Sequence, residues 1–286
     1  MCCDNFLTFQ SLSVFIGMFH FRPISDAQLT PLRQQCYDSL SAPLDGMWDD
    51  LIHRAVIKGI FHEHACIGYY CHDQAYTLIN FFLTEKWLNH KQTVMTHLLQ
   101  DEYFPQAYVS TNHPCFLTAV LPLVRRTSVY YYLFEEGSQP GEPADLPNGY
   151  ETASFQLATQ KDLKKIVNFC RSTTSAEEAW LTDYTRHWIE KEGIYFLSMS
   201  REVIGTLELR RSDTQPGYAD LGAITSPDHR KQGIGTFLMR KGKELCHSLN
   251  LTPICSCRFD NQGSRKMIEN AGFINKHLML KVRFNM

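Results

Sequence analysis

Between residues 163 and 170 the apolar positions Leu163, Ile166, Val167 and Cys170 recur three and four apart, the spacing of one buried helical face. A short strand, 154–158, comes before this helix, which the pattern places at 160–171. A second helix is predicted from Glu177 to Lys191, with Trp180, Tyr184 and Trp188 as its apolar stripe. I-Y-F-L-S-M-S and V-I-G-T-L-E-L-R then read as consecutive antiparallel strands around a turn at Arg201 and Glu202, and Y-A-D-L-G-A-I-T as the next strand. A helix through Leu249, the strand I-C-S-C-R-F and a short helix S-R-K-M-I-E-N follow. That helix stops at Ala271 and Gly272, and H-L-M-L-K-V-R-F forms the last strand.

The first half of the chain repeats this plan. F-R-P-I-S-D-A-Q-L-T-P-L from Phe21 aligns with F-Q-L-A-T-Q-K-D-L-K-K-I from Phe155. At the same offset Gly59-Ile60-Phe61 meets Gly193-Ile194-Tyr195. Cys66-Ile67-Gly68 meets Val203-Ile204-Gly205 after a small shift, and Asn112-His113-Pro114-Cys115 stands where Asn261-Gln262-Gly263-Ser264 stands later. Each match is weak alone, and their common order is what points to a tandem repeat. Residues 135–149, E-E-G-S-Q-P-G-E-P-A-D-L-P-N-G, carry three prolines and three glycines and read as the linker. The expected division is therefore a peripheral extension at 1–17, one domain at 18–135, a linker at 136–150 and a second domain at 151–286.

Composition narrows the picture. The chain has 286 residues, 44% of them hydrophobic, which suffices for a large core. Its net charge of −2 with scattered Lys and Arg leaves no electrostatic footprint for nucleic acid. The N-terminal residues have Asp4, Gln10 and no basic start, so they make a poor signal peptide and are too short to span a bilayer. Ten cysteines spread over this length lack the density of a stapled secreted domain, and reduced thiols in a cytoplasmic protein are expected.

One stretch carries chemistry. The strand ending at Thr225 leads into H-R-K-Q-G-I-G at 229–235, followed at once by the helix-compatible T-F-L-M. The first amides of a helix lack internal partners and sit at the positive end of its dipole, so this is a ready place for phosphate. Gly233 and Gly235 have no Cβ to hold a ligand off, and Arg230 and Lys231 add positive charge. The pattern is neither G-x-G-x-x-G nor G-x-x-x-x-G-K-[ST]. A tight strand-to-helix turn would account for one of the glycines alone.

Arg230-Lys231-Gln232-Gly233-Ile234-Gly235 resembles the coenzyme A signature R/Q-x-x-G-x-G/A of the GCN5-related N-acetyltransferase (GNAT) family. The usual proline stands three residues earlier, at Pro227. Asn261, Ser264 and Gly272-Phe273 are similar to the family's second landmark, N-x-x-A/S…G-F. The resemblance spans 154–284. It implies an α/β (α+β) fold of two tandem GNAT-like domains, each a mixed, mostly antiparallel sheet flanked by helices, with the first domain degenerate.

It further implies an acetyl-CoA-dependent N-acetyltransferase acting on a small-molecule or peptide amine. The pyrophosphate of acetyl-CoA would lie on the amides of Gln232, Gly233, Ile234, Gly235 and Thr236. The pantetheine would pair with the backbone of Ala223, Ile224 and Thr225, with Asn261 and Ser264 on its other side. Asp220 and Glu208 are candidates to deprotonate the amine, or else ordinary strand carboxylates. Many members place a thiolate-protonating tyrosine where this chain has Ile268, so a non-catalytic acyl-CoA-binding or scaffolding protein is the alternative. In the first half T-E-K-W-L-N-H-K-Q-T replaces the glycine loop, leaving no room for a pyrophosphate. That half is expected to support the second one and wall its acceptor site.

Other signals are weaker. His62, His64, Cys66, Cys71 and His72 do not match zinc-ligand spacing, and no metal is expected. Cys255 and Cys257 share one strand face as core or slot-lining thiols, and the tyrosines at 130–132 pack on a strand. Glu177 and Glu178 either attract a cationic amine or open the next helix.

Overall fold

The structure, a computed structural model, describes residues 19–138, 143–174 and 177–284. The expected extension at 1–17 lies outside them. The chain folds as two compact units. One takes residues up to Tyr130 together with those from Leu278 on, and the other runs from Tyr131 to His277.

The first unit opens with β1 (Phe19–Pro23), α1 (Asp26–Asp38) and α2 (Gly46–Arg54). The strands β2 (Val56–His62), β3 (Ala65–His72) and β4 (Thr77–Leu83) follow, then α3 (Lys91–Asp101), β5 (Gln106–Ser110), α4 (Pro114–Val120) and the start of β6 (Val124–Glu136). β1 to β4 form an antiparallel meander, and β5 joins β4 in parallel. Its core is built from Ile60, Phe81, Leu98, Val109 and Phe116, with Val282 from the far end of the chain. The His62-to-His72 residues form the β2–β3 hairpin and its flanks, with Cys71 fully buried.

The second unit has β7 (Ser154–Leu157), α5 (Leu163–Thr173), α6 (Glu178–Glu190), β8 (Ile194–Met199), β9 (Glu202–Arg211) and β10 (Tyr218–Thr225). It closes with α7 (Ile234–Ser248), β11 (Thr252–Arg258), α8 (Gln262–Asn270) and the start of β12 (Phe273–Phe284). α5 and α6 pack on one face of its sheet through Ile166, Val167, Leu181 and Ile189. α7 and α8 cover the other through Leu221, Met239, Ile268 and Phe273. No described helix is long and apolar enough to cross a membrane.

The repeat order is as the sequence predicts, but its last strands are exchanged. β5 pairs not with β6 but with the end of β12, Met279 to Arg283. β11 pairs with Tyr131 to Glu135 of β6. The expected limits of 18–135 and 151–286 follow sequence order, whereas residues 131–135 belong to the second unit and 278–284 to the first. An unpaired β5 or β11 edge would leave a row of backbone groups without partners, and strands from the opposite half of the chain supply them.

Two local expectations are corrected. Trp180 is 52% exposed, and the buried positions of α6 are Leu181, Thr185 and Ile189. The helical period is right and the apolar face is shifted by one residue. The described end of the linker is packed rather than free: Ala144 and Tyr150 are buried beside Phe237 and Leu238. In the first unit the cap of α4 is His113, whose ring accepts from the Phe116 N–H at 3.4 Å. The Asn112 amide instead donates to the Ala42 and Pro43 carbonyls.

His113 is buried and its pKa is pushed down to about 4 by desolvation. Its folded value lies below the unfolded 6.5, so the neutral ring favours folding above 6.5 and that stability is lost as pH falls from 6.5 toward 4. The loss should be on the order of 3 kcal/mol. His113→Asn should flatten this slope in urea titrations at pH 7, 5.5 and 4.5. A second expectation concerns the strand exchange. Fragments 18–135 and 151–286 expressed separately should be insoluble or bind ANS, because each lacks the strand that closes its sheet. Soluble, cooperatively unfolding fragments would contradict this.

Candidate active site

The site begins where two strands part. β10 pairs with β11 in parallel only over Tyr218–Thr252, Ala219–Pro253 and Asp220–Ile254, while its pairing with β9 continues to Thr225–Gly205. Ser226 N–H bonds the Ile204 carbonyl at 3.0 Å. Antiparallel alternation then turns the N–H and C=O of Ala223 and Thr225 away from β9, into the gap. Ile224 instead bonds within the β9–β10 ladder and packs its side chain toward α5.

At the end of β10 a 3₁₀ turn at Pro227–His229 leads into the loop and α7. Lys231 has φ +61° and Gly233 φ +86°. Backbone turns that mix right- and left-handed residues gather N–H groups into an anion-binding concavity. No side chain caps α7, and the first of its amides to find a carbonyl is that of Phe237, on Gly233 at 2.9 Å. The N–H groups from Lys231 to Thr236 thus have no acceptor among the described residues.

The loop is held from below. Tyr150, buried, donates to Gln232 Oε1 at 2.6 Å and lies 2.8 Å from His229 Nδ1. The Gln232 amide nitrogen donates to the Asp228 carbonyl at 3.0 Å. Gln232 therefore spends its side chain on the loop and leaves its backbone amide free. Arg230 Nε reaches the Thr225 carbonyl at 3.4 Å, and Lys231 is exposed.

The two glycines have different reasons. Gly233 is required by its left-handed backbone, with Pro147 packed 3.1 Å from where a Cβ would stand. At Gly235 a Cβ would meet Met267 Sδ at 2.5 Å, so this glycine admits the Met267 side chain of α8 rather than a ligand. Asn261 caps α8, its Oδ1 accepting from the Ser264 N–H at 3.0 Å. The N-x-x-S spacing is thus that of a helix cap. Ile268 is 2% exposed, in the core with Cys255, Cys257 and Phe273.

On the opposite face of the sheet lie both candidate carboxylates, bound to one cation. Arg210 Nη2 donates to Asp220 Oδ2 at 2.6 Å, and Nη1 to Glu208 Oε2 at 3.0 Å. Tyr184 OH donates to the same Glu208 oxygen at 2.8 Å and accepts from Arg210 Nη1 at 3.0 Å. Burial alone would push the guanidinium down, but the charges of Asp220 and Glu208, with the hydrogen bond to the Tyr184 oxygen, hold it well above its ordinary value. Burial first, and then the Glu208 charge, pushes the Tyr184 phenol up. Asp220 is 2% exposed and committed to Arg210. Glu208 is more open, and its Oε2 lies 3.5 Å from where a Cβ on Gly222 would stand, in the strand that lines the gap. Trp180 stacks on Tyr184 at 4.8 Å, extending an exposed aromatic wall beside the carboxylate. Glu177 is the cap residue of α6 and Glu178 pairs with Arg171, so these acids open the helix.

Sequence reading missed Tyr150, Tyr184, Arg210 and Pro147. The charged Arg210, two residues from Glu208 on one strand face, was the available signal. Tyr150 and Pro147 gave none, since both sit where composition reads as linker.

Comparison with known proteins finds a family for both halves of the chain. Residues 25–137 match the model of an acetyltransferase (GNAT) domain, and residues 161–273 that of the acetyltransferase (GNAT) family. The chain is a tandem member of the GNAT family. An acetyltransferase of the GNAT family from Colwellia psychrerythraea is 25% identical, over 93% of this chain and 100% of its own, with a TM-score of 0.85. A GCN5-related N-acetyltransferase from Sphaerobacter thermophilus shares the fold at 12% identity, over 93% and 95% of the two chains, with a TM-score of 0.67. A tandem GNAT protein from the clavulanic acid biosynthesis pathway does so at 12% identity, over 92% and 97%, with a TM-score of 0.60. No curated protein matches the chain.

In this tandem GNAT chain the first unit has the same parting of strands, but filled. β4 and β5 pair only at Thr77–Gln106 and Leu78–Ala107. Beyond them His113 Nε2 meets Asn80 Oδ1 at 2.9 Å, and the Asn80 amide donates to Tyr69 OH at 3.2 Å. Where the second unit has its open loop, a 3₁₀ turn at Glu85–His90 runs straight into α3. Trp87 from that turn packs on His62 at 4.5 Å.

A non-glycine residue in the left-handed region costs about 1–2 kcal/mol. Gly233→Ala should therefore lower unfolding stability by about that much, read as a reduced midpoint in chemical denaturation. An unchanged midpoint would show that the loop relaxes out of this conformation.

Proposed function

We propose that this chain transfers an acetyl group from acetyl-CoA to a primary amine, with the reaction in the second unit. The observation that carries the reading is the gap beyond Asp220 meeting the free amides of Lys231 to Thr236. The pyrophosphate would rest on those amides, with Arg230 and Lys231 flanking it. The pantetheine would extend into the gap and take the Ala223 and Thr225 backbone groups as a neighbouring strand would. Ser264 and the Asn261 amide nitrogen, left free by the cap, would border it from α8.

The amine would approach from the Glu208 face. Among the described residues Glu208 Oε1 is engaged in no hydrogen bond, so it can take the proton that the amine must lose, directly or through water. Asp220 would hold Arg210, and Arg210 would orient Glu208. Nitrogen attack on the thioester carbon builds an oxyanion, which a backbone N–H facing the gap would stabilise. The C–S bond then breaks and coenzyme A leaves as thiolate. Ile268 has no proton to donate, and the acidity of the thiol makes unassisted departure feasible. Glu208 and Asp220 against the single Arg210 leave one net negative charge beside an aromatic wall. That combination favours a cationic acceptor with a flat or apolar body. The first unit, with its gap filled, would serve as a scaffold.

The test is release of free thiol from acetyl-CoA across an amine panel. Glu208→Gln should lower kcat by 10²–10⁴-fold, an order-of-magnitude expectation for a general base, while leaving the affinity for coenzyme A near that of the unaltered protein. Tight coenzyme binding without turnover on any amine would favour a binding or scaffolding protein.

A further inference from the structure

The first unit carries a concentration of positive charge that the acetyl-transfer reading does not use. Arg126 and Ser128 on β6 and Lys281 and Arg283 on β12 line one cavity of about 180 Å³. Arg126 and Arg283 also line a second cavity of about 570 Å³, together with Pro105, Arg125 and Phe284. The strands are neighbours in the sheet, and Ser128 Oγ donates to the Lys281 carbonyl at 3.4 Å. Among the described residues none of these four cations has a carboxylate partner, in a chain whose net charge is −2.

Like charges on adjacent strands repel, so this arrangement lowers stability unless something supplies the negative charge. Lys281 Nζ sits 5.7 Å from the Tyr108 ring centre, a cation–π contact that holds it without neutralising it. Three arginines offer planar forks suited to phosphate oxygens. The larger cavity falls in the range of roughly 300–1,000 Å³ that small-ligand sites occupy. Its Pro105 and Phe284 walls are apolar, so the match is to an anionic ligand with a flat or apolar part rather than to a bare ion.

We propose that the cavities of the first unit bind a nucleoside polyphosphate, its phosphates on Arg126, Lys281 and Arg283 and its base against Pro105 and Phe284. Two sources share that chemistry, a free nucleotide and the adenosine phosphate end of a second coenzyme A. A short basic patch on a net acidic chain is too small to follow a nucleic-acid backbone.

The experiment is calorimetric titration of the full chain with pyrophosphate, ADP and coenzyme A at 0.15 M salt. ADP should bind saturably and more tightly than pyrophosphate. Arg126→Ala/Arg283→Ala should weaken ADP binding by about tenfold or more, and Arg126→Lys/Arg283→Lys should restore part of it. The alanine variant, relieved of like-charge repulsion, should keep or raise its thermal midpoint and keep any acetyl transfer. If coenzyme A binds at two sites per chain and the alanine variant retains one, the ligand is the coenzyme. If coenzyme A binds once and ADP binding is lost, it is a free nucleotide. The proposal is overturned by ADP binding that the alanine variant leaves unchanged, which would place it on the 231–236 loop. It is equally overturned by no saturable ADP binding up to millimolar concentrations, or by a single-stranded oligonucleotide binding more tightly than ADP.

Discussion

A parallel pairing that stops after three residues organises the second unit. Backbone N–H and C=O groups need partners when buried, and β10 keeps its partners on the β9 side to its end while losing those on the β11 side after Asp220. The strand is therefore paired along one edge and left without a neighbouring strand on the other beyond Asp220, where the Thr225 carbonyl meets Arg230 Nε. The loop continues that condition, because the first amides of α7 have no intrahelical partner and no side chain caps them. An extended ligand with amides at one end and phosphates at the other would satisfy both, which is why the coenzyme reading rests on the backbone more than on any side chain.

The first unit shows what happens when that condition is relieved internally. The same early end to parallel pairing is present, yet the Asn80–His113 hydrogen bond crosses the space, and Tyr69 of β3 holds the Asn80 amide. Burial keeps the His113 ring neutral, so it bonds without carrying a charge into the interior. The amide-rich loop is replaced by a helical turn whose Trp87 packs into an aromatic cluster. The two units thus differ in whether side chains of the chain itself occupy the gap.

On the other face of the second unit, the polar cluster has a division of labour set by burial. Asp220 is enclosed and ion-paired, and a carboxylate held that way is costly to disturb. Glu208 shares the same guanidinium, and its Oε1 has no partner among the described residues. The aromatic residues of α6 belong to this face. Trp180 and the half-buried Tyr184 line up beside Glu208, which explains why Trp180, an apolar position in the sequence, is exposed in the fold.

Local pattern carried far in this chain. The period of Leu163, Ile166, Val167 and Cys170, the glycine stop at Gly272 and the basic glycine loop after Thr225 are short-range properties, and the elements stand within a few residues of where they were expected. The tandem plan was legible because the same order of weak signals occurs twice. What pairs with what was not legible. A strand such as 277–284 reads alike whether it closes its own half or the other, since edge hydrogen bonds are blind to sequence distance. The cap roles of Asn261 and His113, the hold of Tyr150 on Gln232 and the Met267 contact that explains Gly235 all depend on how the folded backbone places these residues. Sequence by itself determined the elements and the loop chemistry. Only the tertiary structure decided the exchange of strands, the filled and open gaps, and which carboxylate is enclosed with its cation, because each depends on what burial leaves without a partner.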